Sequence, residues 1–310
     1  MGVDLGVDRL NVIAMDLKGN VLASHMRQHD VESDPDGTIR KVVREIPFAV
    51  ASLGLQIGCL GGIGVAVRCP LDPETPDQLS ERILPAWKDV RLGGRLHEVF
   101  GVPVFVENDA NLGALAEFWW GQGQGLGDFA LIRLANGIGA GLVVGGAIYR
   151  GATGIAGEIG HTTIDPSGPL CRCGLRGCLE AMIGPHILAG MDQAKAAEEL
   201  VSSAQSGDKA AAATLERTGA AIGIAVANLV NLMNPQAVVL SGELTRVGSL
   251  LVEPIERMLQ SRALWSAVDE TKVVISDLGS EAVALGAATM VLDTVLDNPA
   301  ILPSRFPPRA

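Results

Sequence analysis

Short apolar runs bounded by glycine and polar residues recur along the chain and predict a set of buried strands. Residues 2–6 and 10–16 are predicted strands, and a third follows the turn Lys18-Gly19-Asn20, where Gly-Asn is a hairpin signal. Residues 62–67 are apolar on both faces, which is typical of parallel strands covered on both sides, and residues 102–106 form another apolar run. The first third of the chain is therefore predicted to form one sheet.

Helical periodicity separates these strands. Residues 36–53 place apolar side chains at helical spacing on one face, namely Ile39, Val42, Val43 and Ile46. Residues 111–119 are apolar and follow short polar side chains that can cap a helix. The alanine-rich stretch 185–233 predicts helices broken near residues 206–208, and residues 282–296 predict a last helix.

A second group of strands is predicted in the C-terminal half. Residues 129–133 and 141–144 alternate as a hairpin around Asn136-Gly137, a type I′ turn signal. Residues 237–240 and 273–275 are two further apolar runs of strand length. The alternation of strands and helices favours an α/β protein.

Length and composition agree with this class. The chain has 310 residues, 48% of them hydrophobic, with few aromatics and 38 glycines, which suits two α/β lobes with many tight turns. The net charge of −11 argues against nucleic acid as a partner, because phosphate binding needs clustered Lys and Arg. No signal segment is visible and the apolar stretch 49–67 is broken by polar residues and glycines, so we expect a cytoplasmic protein without a membrane span.

Three cysteines and a histidine form the strongest candidate for chemistry. His161, Cys171, Cys173 and Cys178 have the spacing of a closed tetrahedral zinc site, with no position left for a substrate water. The alternatives are three unrelated core cysteines beside a chance histidine, or a disulfide with a spare thiol. The segment is rich in Gly, Pro and Arg, and five cysteines in a chain without a secretory signal do not suit a disulfide framework, so we favour structural zinc.

Four motifs together resemble those of the ROK family, which groups repressors, open reading frames and sugar kinases. They are Glu107-Asn-Asp-Ala-Asn111, Gly137-Ile-Gly-Ala-Gly141, Ala156-Gly-Glu-Ile-Gly-His161, and the run from Cys171 to Glu180. The resemblance extends from about residue 2 to about residue 290. It implies a two-lobed actin-like sugar kinase (ribonuclease H-like) fold with a cleft between the lobes and a zinc-stapled loop.

The resemblance also implies a division of the chain. Residues 1–107 form an N-terminal lobe, which a C-terminal helix at about 282–296 completes. Residues 108–281 form a larger lobe that carries the sugar and zinc sites. The tail at residues 297–310 holds four prolines and is expected to be loose.

Sugar-binding residues follow from the same resemblance. Asn108, Asp109, Glu158, His161 and Glu180 match family positions that contact the sugar, and Asp109 matches the catalytic base of the kinases. His161 has two ring nitrogens, one for zinc and one for sugar. From the residues alone, a helix N-cap is the preferred interpretation of Asp109, and an exposed glutamate at a helix start is a serious alternative for Glu180.

The phosphate loops depart from the kinase pattern. Positions that would bind Mg-ATP are Asp4, Gly6, Gly137, Gly139 and Gly242, but a Val7-Asp8 pair replaces the Gly-Thr of the first loop, and Asn136 replaces a threonine of the second. A carboxylate about 4 Å from a phosphate repels it by roughly 4 kcal/mol at an effective dielectric of 20. Alternatively, Asp8 points into solvent and caps its turn.

Two functions are compatible with these motifs. The first is the sugar-sensing core of a transcriptional regulator, whose helix-turn-helix domain is absent from this chain. The second is an ATP-dependent sugar kinase of the glucokinase or N-acetylhexosamine kinase type, with Asp109 as general base and Mg-ATP as cofactor. The departure of Val7 and Asp8 from the kinase motif favours the regulator. Both functions include structural zinc, a small sugar ligand and, from the resemblance, a homodimer or homotetramer.

Overall fold

The computed structural model describes residues 1–135, 137–187 and 193–302, and these divide into two compact units. The first unit contains Met1–Trp119, Arg150–Ile155 and the segment from Glu281 onward, and the second contains Trp120–Tyr149 and Ala156–Ser280. The helix that follows residue 108 thus lies mostly in the first unit, whereas the sequence-based division began the second lobe at residue 108.

The first unit is built on a five-stranded sheet. Its strands are β1 (Gly2–Leu5), β2 (Arg9–Met15), β3 (Val21–Gln28), β4 (Ile63–Val67) and β5 (Val104–Asn108). The spatial order is β3-β2-β1-β4-β5, in which β1, β4 and β5 are parallel and β2 is antiparallel to both β1 and β3. Every predicted strand of this region is confirmed, and β5 is displaced by two residues toward the C-terminus.

Three helices of the first unit follow the strands: α1 (Pro35–Ser52), α2 (Leu92–Phe100) and α3 (Asp109–Trp120). Asp34 caps α1 by accepting a hydrogen bond from the Gly37 amide at 2.8 Å. The apolar stripe predicted for α1 enters the core through Ile39, Val42 and Ile46. Strand β5 ends at Asn108 and helix α3 begins at Asp109, so the Asn108-Asp109 pair lies at the carboxyl end of β5.

A second five-stranded sheet forms the base of the second unit. It contains β6 (Phe129–Leu134), β7 (Ile138–Val144), β8 (Ala147–Ile148), β9 (Ala237–Ser241) and β10 (Lys272–Ile275) in the order β10-β9-β6-β7-β8. Leu134 pairs with Ile138, so three residues connect β6 to β7. The predicted type I′ turn is centred on Asn136, which lies outside the described residues.

Helices of the second unit pack on this sheet. They are α4 (Leu179–Ile187), α5 (Gln193–Gln205), α6 (Lys209–Met233), α7 (Ser249–Arg262) and α8 (Trp265–Val268). The predicted break is confirmed at Gly207, whose φ is +94°, and at Asp208, which caps α6. Residues 188–192 of the predicted helical stretch lie outside the described part of the chain.

The last helix is α9 (Ala282–Asp297), and it belongs to the first unit. Among the described residues, the segment Gly279–Asp297 is long and apolar enough to cross a membrane. Most of this segment is buried inside the protein, as a core helix would be. Within the described ranges, six short 3-10 helices are also present: Ile57–Cys59, Pro85–Trp87, Ile159–His161, Glu243–Val247, Gly279–Glu281 and Pro299–Ile301. Residues 303–310 of the predicted loose tail lie outside the described residues.

Candidate functional site

The side chains of His161, Cys171, Cys173 and Cys178 converge in the second unit. Their ligand atoms all lie within 4.8 Å of one another. The Sγ of Cys171 is 3.6 Å from Nδ1 of His161, and the Sγ atoms of Cys173 and Cys178 are 3.6 Å apart. All three cysteines are free thiols, and ligands about 2.3 Å from a tetrahedral zinc would be about 3.8 Å apart. The cluster is therefore compatible with a closed structural metal site.

A tight loop brings Cys178 back to His161. The amide of Ile164 donates to the carbonyl of Gly177 at 2.7 Å, and Thr163 forms an antiparallel bridge with Cys178. Gly177 has a φ of +65°, and a Cβ at this position would lie 1.5 Å from the carbonyl oxygen of Asp165. Only glycine fits there, which gives a structural reason for the Gly-Cys pair of the motif.

Burial affects the acidity of these thiols. It raises the pKa of Cys178 to about 12, with further contributions from the neighbouring thiols Cys173 and Cys171. Burial likewise raises the pKa of Cys171. A bound dication supplies the positive charge that converts such thiols to thiolates. The cluster is thus chemically suited to a metal, whereas its buried thiols are poor nucleophiles on their own.

His161 presents its two ring nitrogens to different partners. Nδ1 faces Cys171, and Nε2 lies 3.9 Å from a carboxylate oxygen of Glu158. The loop before His161 is fixed on β7, because the Ala140 amide donates to the Gly157 carbonyl at 2.7 Å and a Cβ at Gly157 would lie 1.9 Å from the Ala140 oxygen. Of the predicted sugar-binding side chains, His161 is therefore part of the candidate metal cluster and Glu158 lies next to it.

Glu180 occupies the first turn of α4 with only 12% of its side chain exposed. Its Oε1 is 2.7 Å from Nε of Arg172, and its Oε2 accepts from a terminal guanidinium nitrogen of Arg172 at 3.2 Å and from the Ile138 amide at 3.1 Å. Glu180 is therefore not the exposed glutamate that the alternative interpretation held. The role of Arg172 was missed from the sequence, although its place between two cysteines of the candidate metal motif was a signal.

The residues of the Glu-Asn-Asp motif in the first unit have different structural roles. The Oδ1 of Asn108 accepts hydrogen bonds from the amides of Ala110 at 2.9 Å and Asn111 at 3.2 Å, and its Nδ2 donates to the Cys69 carbonyl at 3.2 Å. Asn108 therefore caps α3. Asp109 is the first residue of that helix and is buried. The sequence left helix capping as the alternative to catalysis for Asp109. In the structure Asn108 is the residue that caps this helix.

Glu107 holds this motif in place. It forms an ion pair with Arg150 at 2.6 Å, and its other oxygen accepts from the Asn111 side chain at 3.0 Å and the Asn108 amide at 2.7 Å. A buried carboxylate needs such partners. Sequence reasoning missed the pair, because Glu107 and Arg150 are 43 residues apart.

The first candidate phosphate loop is a turn between β1 and β2. Asp4 is buried in β1, and the Gly6 amide donates to the Arg9 carbonyl at 3.0 Å. The carbonyls of Val7 and Asp8 accept from backbone amides after β3 at 3.1 and 2.9 Å. Val7 is half-buried and the Asp8 side chain is exposed, as expected if it points into solvent. The turn nevertheless places an acidic group at its tip.

The other glycines predicted to approach nucleotide are in the second unit. Gly137 accepts a hydrogen bond from the Ala135 amide at 3.2 Å, and Gly139 is a residue of β7 paired with Arg133. Gly242 has a φ of +102°, and a Cβ there would lie 2.2 Å from the Leu134 carbonyl oxygen. Packing of the chain after β9 against β6 therefore requires Gly242 whether or not a nucleotide binds.

The predicted residues are divided between the two units. Asp4, Gly6, Asn108 and Asp109 belong to the first unit, and the second contains the rest: Gly137, Gly139, Glu158, His161, Glu180, Gly242 and the three cysteines. The family model of the ROK family matches residues 1–294. The chain belongs to the ROK family.

Curated relatives within the ROK family have two kinds of function. The xylose repressor of Bacillus subtilis is 30% identical over 306 residues, which cover 96% of this chain and 78% of the repressor. The glucokinase of Thermotoga maritima is 31% identical over 317 residues, which cover 95% of this chain and 98% of the kinase. Membership of the ROK family therefore does not by itself distinguish a regulator from a kinase.

Solved ROK structures share the fold. A ROK family transcriptional regulator, a homologue of the Escherichia coli MLC protein, superposes with a TM-score of 0.80 at 27% identity, covering 97% of this chain and 80% of that one. The predicted two-sheet α/β fold of the ROK sugar kinases is thereby confirmed.

Proposed function

We propose that this chain is the sugar-binding core of a ROK transcriptional regulator and that it does not transfer phosphate. The observation that carries the proposal is the Val7-Asp8 pair in the turn after β1. An exposed carboxylate at this turn opposes a polyphosphate electrostatically, and the branched side chain of Val7 occupies a position where close backbone approach needs glycine.

Similarity to regulators supports the same assignment. Several of the similar curated proteins are xylose repressors, and the solved regulator superposes with a TM-score of 0.80, against 0.76 for the ROK hexokinase of Thermus thermophilus. The difference between the two scores is small, so the sequence of the first turn carries more weight.

The sugar ligand is a monosaccharide held through its hydroxyl groups. Asn108, Asp109, Glu158, His161 and Glu180 supply carboxylate, amide and imidazole groups, each of which can orient hydroxyls and reject analogues that lack them. In support, the Asp109 carboxylate is not the capping group of α3, and Nε2 of His161 is the ring nitrogen directed away from Cys171.

A structural zinc is the metal that we assign to the cluster. His161 would bind it through Nδ1, with Cys171, Cys173 and Cys178 as thiolate ligands, which leaves Nε2, 3.9 Å from the Glu158 carboxylate, for the sugar. The metal closes the loop and leaves no open position for catalysis. We further place the protein in the cytoplasm as a homodimer or homotetramer.

A sugar kinase is the second candidate function, and one observation favours it. Asp109 is buried at the first turn of α3 while Asn108 performs the capping, so a carboxylate is kept where the kinases have their base. In that case Asp109 would accept the proton of the sugar hydroxyl, and Mg-ATP would supply the phosphoryl group.

Calorimetric titration of the zinc-replete protein tests the proposal. D-Xylose, D-glucose and N-acetyl-D-glucosamine are each titrated, and Mg-ATP is titrated with and without sugar. We expect at least one sugar to bind and Asp109→Asn to weaken that binding, with no heat from Mg-ATP. Binding of Mg-ATP that sugar strengthens would favour the kinase, and failure of every sugar to bind would refute both functions.

A further inference from the structure

Arg172 stands between two of the cysteines in the metal cluster, and its guanidinium binds Glu180. Nε and a terminal nitrogen contact different carboxylate oxygens at 2.7 and 3.2 Å. Such a two-point contact fixes the plane of the carboxylate as well as its position, which a single charge cannot do. Arg172 is 56% exposed, whereas Glu180 is 12% exposed, so the pair lies at the edge of the protein with the carboxylate inside.

The acceptor sites of Glu180 are nearly filled. A carboxylate has about four lone-pair sites. Oε2 accepts from a terminal nitrogen of Arg172 and from the Ile138 amide, and Oε1 lies 2.7 Å from Nε of Arg172 in the ion pair. One site, on Oε1, is left for a further donor. Because the guanidinium sets the carboxylate plane, this remaining site has a single direction.

The loop around Arg172 fixes the direction from which the guanidinium approaches. The Cys171 amide donates to the Leu175 carbonyl at 2.7 Å, and Leu170 forms an antiparallel bridge with Arg176. With Cys171 and Cys173 both in the metal cluster, the backbone of Arg172 is held from both sides. The orientation of Glu180 is thus tied to the folded metal loop.

We propose that Arg172 is a specificity-determining positioning residue, which restricts Glu180 to one hydroxyl of the sugar. This inference rests on the proposed sugar-binding function and deepens it. Arg172 acts through Glu180 and needs no contact with the sugar. Without the guanidinium, the carboxylate can rotate and accept donors in other directions, so both the affinity and the discrimination between sugars should fall.

The test compares substitutions at two arginines of the same loop. Arg172→Met removes the charge and the two-point contact, and Arg172→Lys restores a charge without the planar geometry. Arg176→Met is the matched control, since Arg176 is exposed and contacts only the Gly168 carbonyl, at 3.4 Å, in the contacts described for its guanidinium. The dissociation constants of D-glucose, D-xylose and 1-deoxy-, 2-deoxy- and 3-deoxy-D-glucose are measured by calorimetry. Zinc content is measured on the same samples.

We expect wild-type protein to bind one deoxy analogue at least tenfold more weakly than D-glucose, or about 1.4 kcal/mol. Arg172→Met should bind D-glucose about tenfold more weakly and lose most of that discrimination, with zinc content unchanged. Arg172→Lys should recover much of the affinity for D-glucose but less of the discrimination against the deoxy analogue. Arg176→Met should match wild type.

Three results would overturn the inference. If Arg172→Met keeps wild-type affinities and the same preference among the deoxy sugars, Arg172 does not position Glu180 for the ligand. If Arg172→Met loses its zinc together with sugar binding, Arg172 is a structural residue of the metal loop. If wild-type protein binds none of these sugars, the inference fails, and the proposed function fails with it only if N-acetyl-D-glucosamine does not bind either.

Discussion

Asn108 caps the helix on which Asp109 is the first residue. The Oδ1 of Asn108 accepts from two backbone amides of α3, and its Nδ2 donates to the Cys69 carbonyl. Asp109 lies next to it, buried, at the positive end of the helix dipole. Two adjacent polar residues that look equivalent in the sequence therefore differ, because Asn108 caps the helix and Asp109 does not.

This division predicts opposite effects of two substitutions. Asn108→Ala removes the cap and should lower the free energy of unfolding by about 1 kcal/mol or more. Asp109→Asn leaves the cap and should cost only about 0.3–1 kcal/mol, through the helix dipole, while weakening sugar binding strongly. Urea denaturation and calorimetry measure the two quantities. Equal losses of stability in both variants, with sugar binding unchanged in Asp109→Asn, would contradict the assignment.

Two glycines of the metal loop should respond differently to alanine. Gly177 has no room for a Cβ, because the Asp165 oxygen would lie 1.5 Å away, whereas Gly174 has a positive φ but open space around it. Gly177→Ala should therefore displace Cys178 and weaken zinc binding by orders of magnitude. Gly174→Ala should cost about 1 kcal/mol of backbone strain and keep the metal.

Zinc affinity for this pair of variants is measured by competition with a chromophoric chelator. Similar affinities of Gly177→Ala and wild type would show that the loop folds independently of the close contact between Gly177 and Asp165.

The first turn offers a gain-of-function test. The double variant V7G/D8T removes the branched side chain and the carboxylate, and so restores the glycine and hydroxyl of the kinase motif. If these two residues prevent nucleotide binding, the variant should bind Mg-ATP measurably, whereas wild type and Asp8→Glu should not. Calorimetric titration of Mg-ATP is the measurement. A wild-type protein that already binds as tightly as V7G/D8T would remove the main support for the regulator assignment.

Asp293 in α9 gives a prediction about pH. Burial, followed by the neighbouring carboxylate of Asp297, raises the pKa of Asp293 above its ordinary value. The folded protein therefore favours the protonated form, so the ionised group costs stability as the pH rises from the unfolded pKa through the raised folded pKa. Asp293→Asn should stabilise the protein at pH 7 by less than about 1 kcal/mol, since the half-exposed group is screened by solvent.

Thermal unfolding of Asp293→Asn and wild type at about pH 2.5 and pH 7 checks this sign. The two proteins should differ at pH 7 and converge in acid, where Asp293 is protonated in both the folded and the unfolded state. A constant difference at both pH values would mean that the substitution acts through packing.

The sequence predicted those parts of the fold that have strong local signals. The buried strand Ile63–Val67 and the break before Asp208 are both visible in the residue pattern. The helices Leu92–Phe100 and Ser249–Arg262 were not assigned in advance. One contains Gly93 and Gly94, and the other contains Pro254, all of which lower helix propensity, and packing overrides that preference.

In the candidate site, too, the sequence predicted the features with a local signal and missed the contacts between distant residues. The four residues of the candidate metal cluster were visible because three of them lie within one short segment. The ion pair of Glu107 with Arg150, and the contact of Glu180 with the Ile138 amide, join residues 43 and 42 positions apart. Such contacts depend on how strands and loops are brought together, which residue types and spacing do not specify.

The most direct test of the account is the phosphorylation of sugar itself. Zinc-replete protein is incubated with Mg-ATP and D-xylose, D-glucose or N-acetyl-D-glucosamine, and sugar-dependent ADP release is measured beside Asp109→Asn. The account predicts that wild type releases no more ADP than Asp109→Asn with any of the sugars, although at least one of them binds. Sugar-dependent release by wild type that Asp109→Asn abolishes would contradict it and establish a kinase.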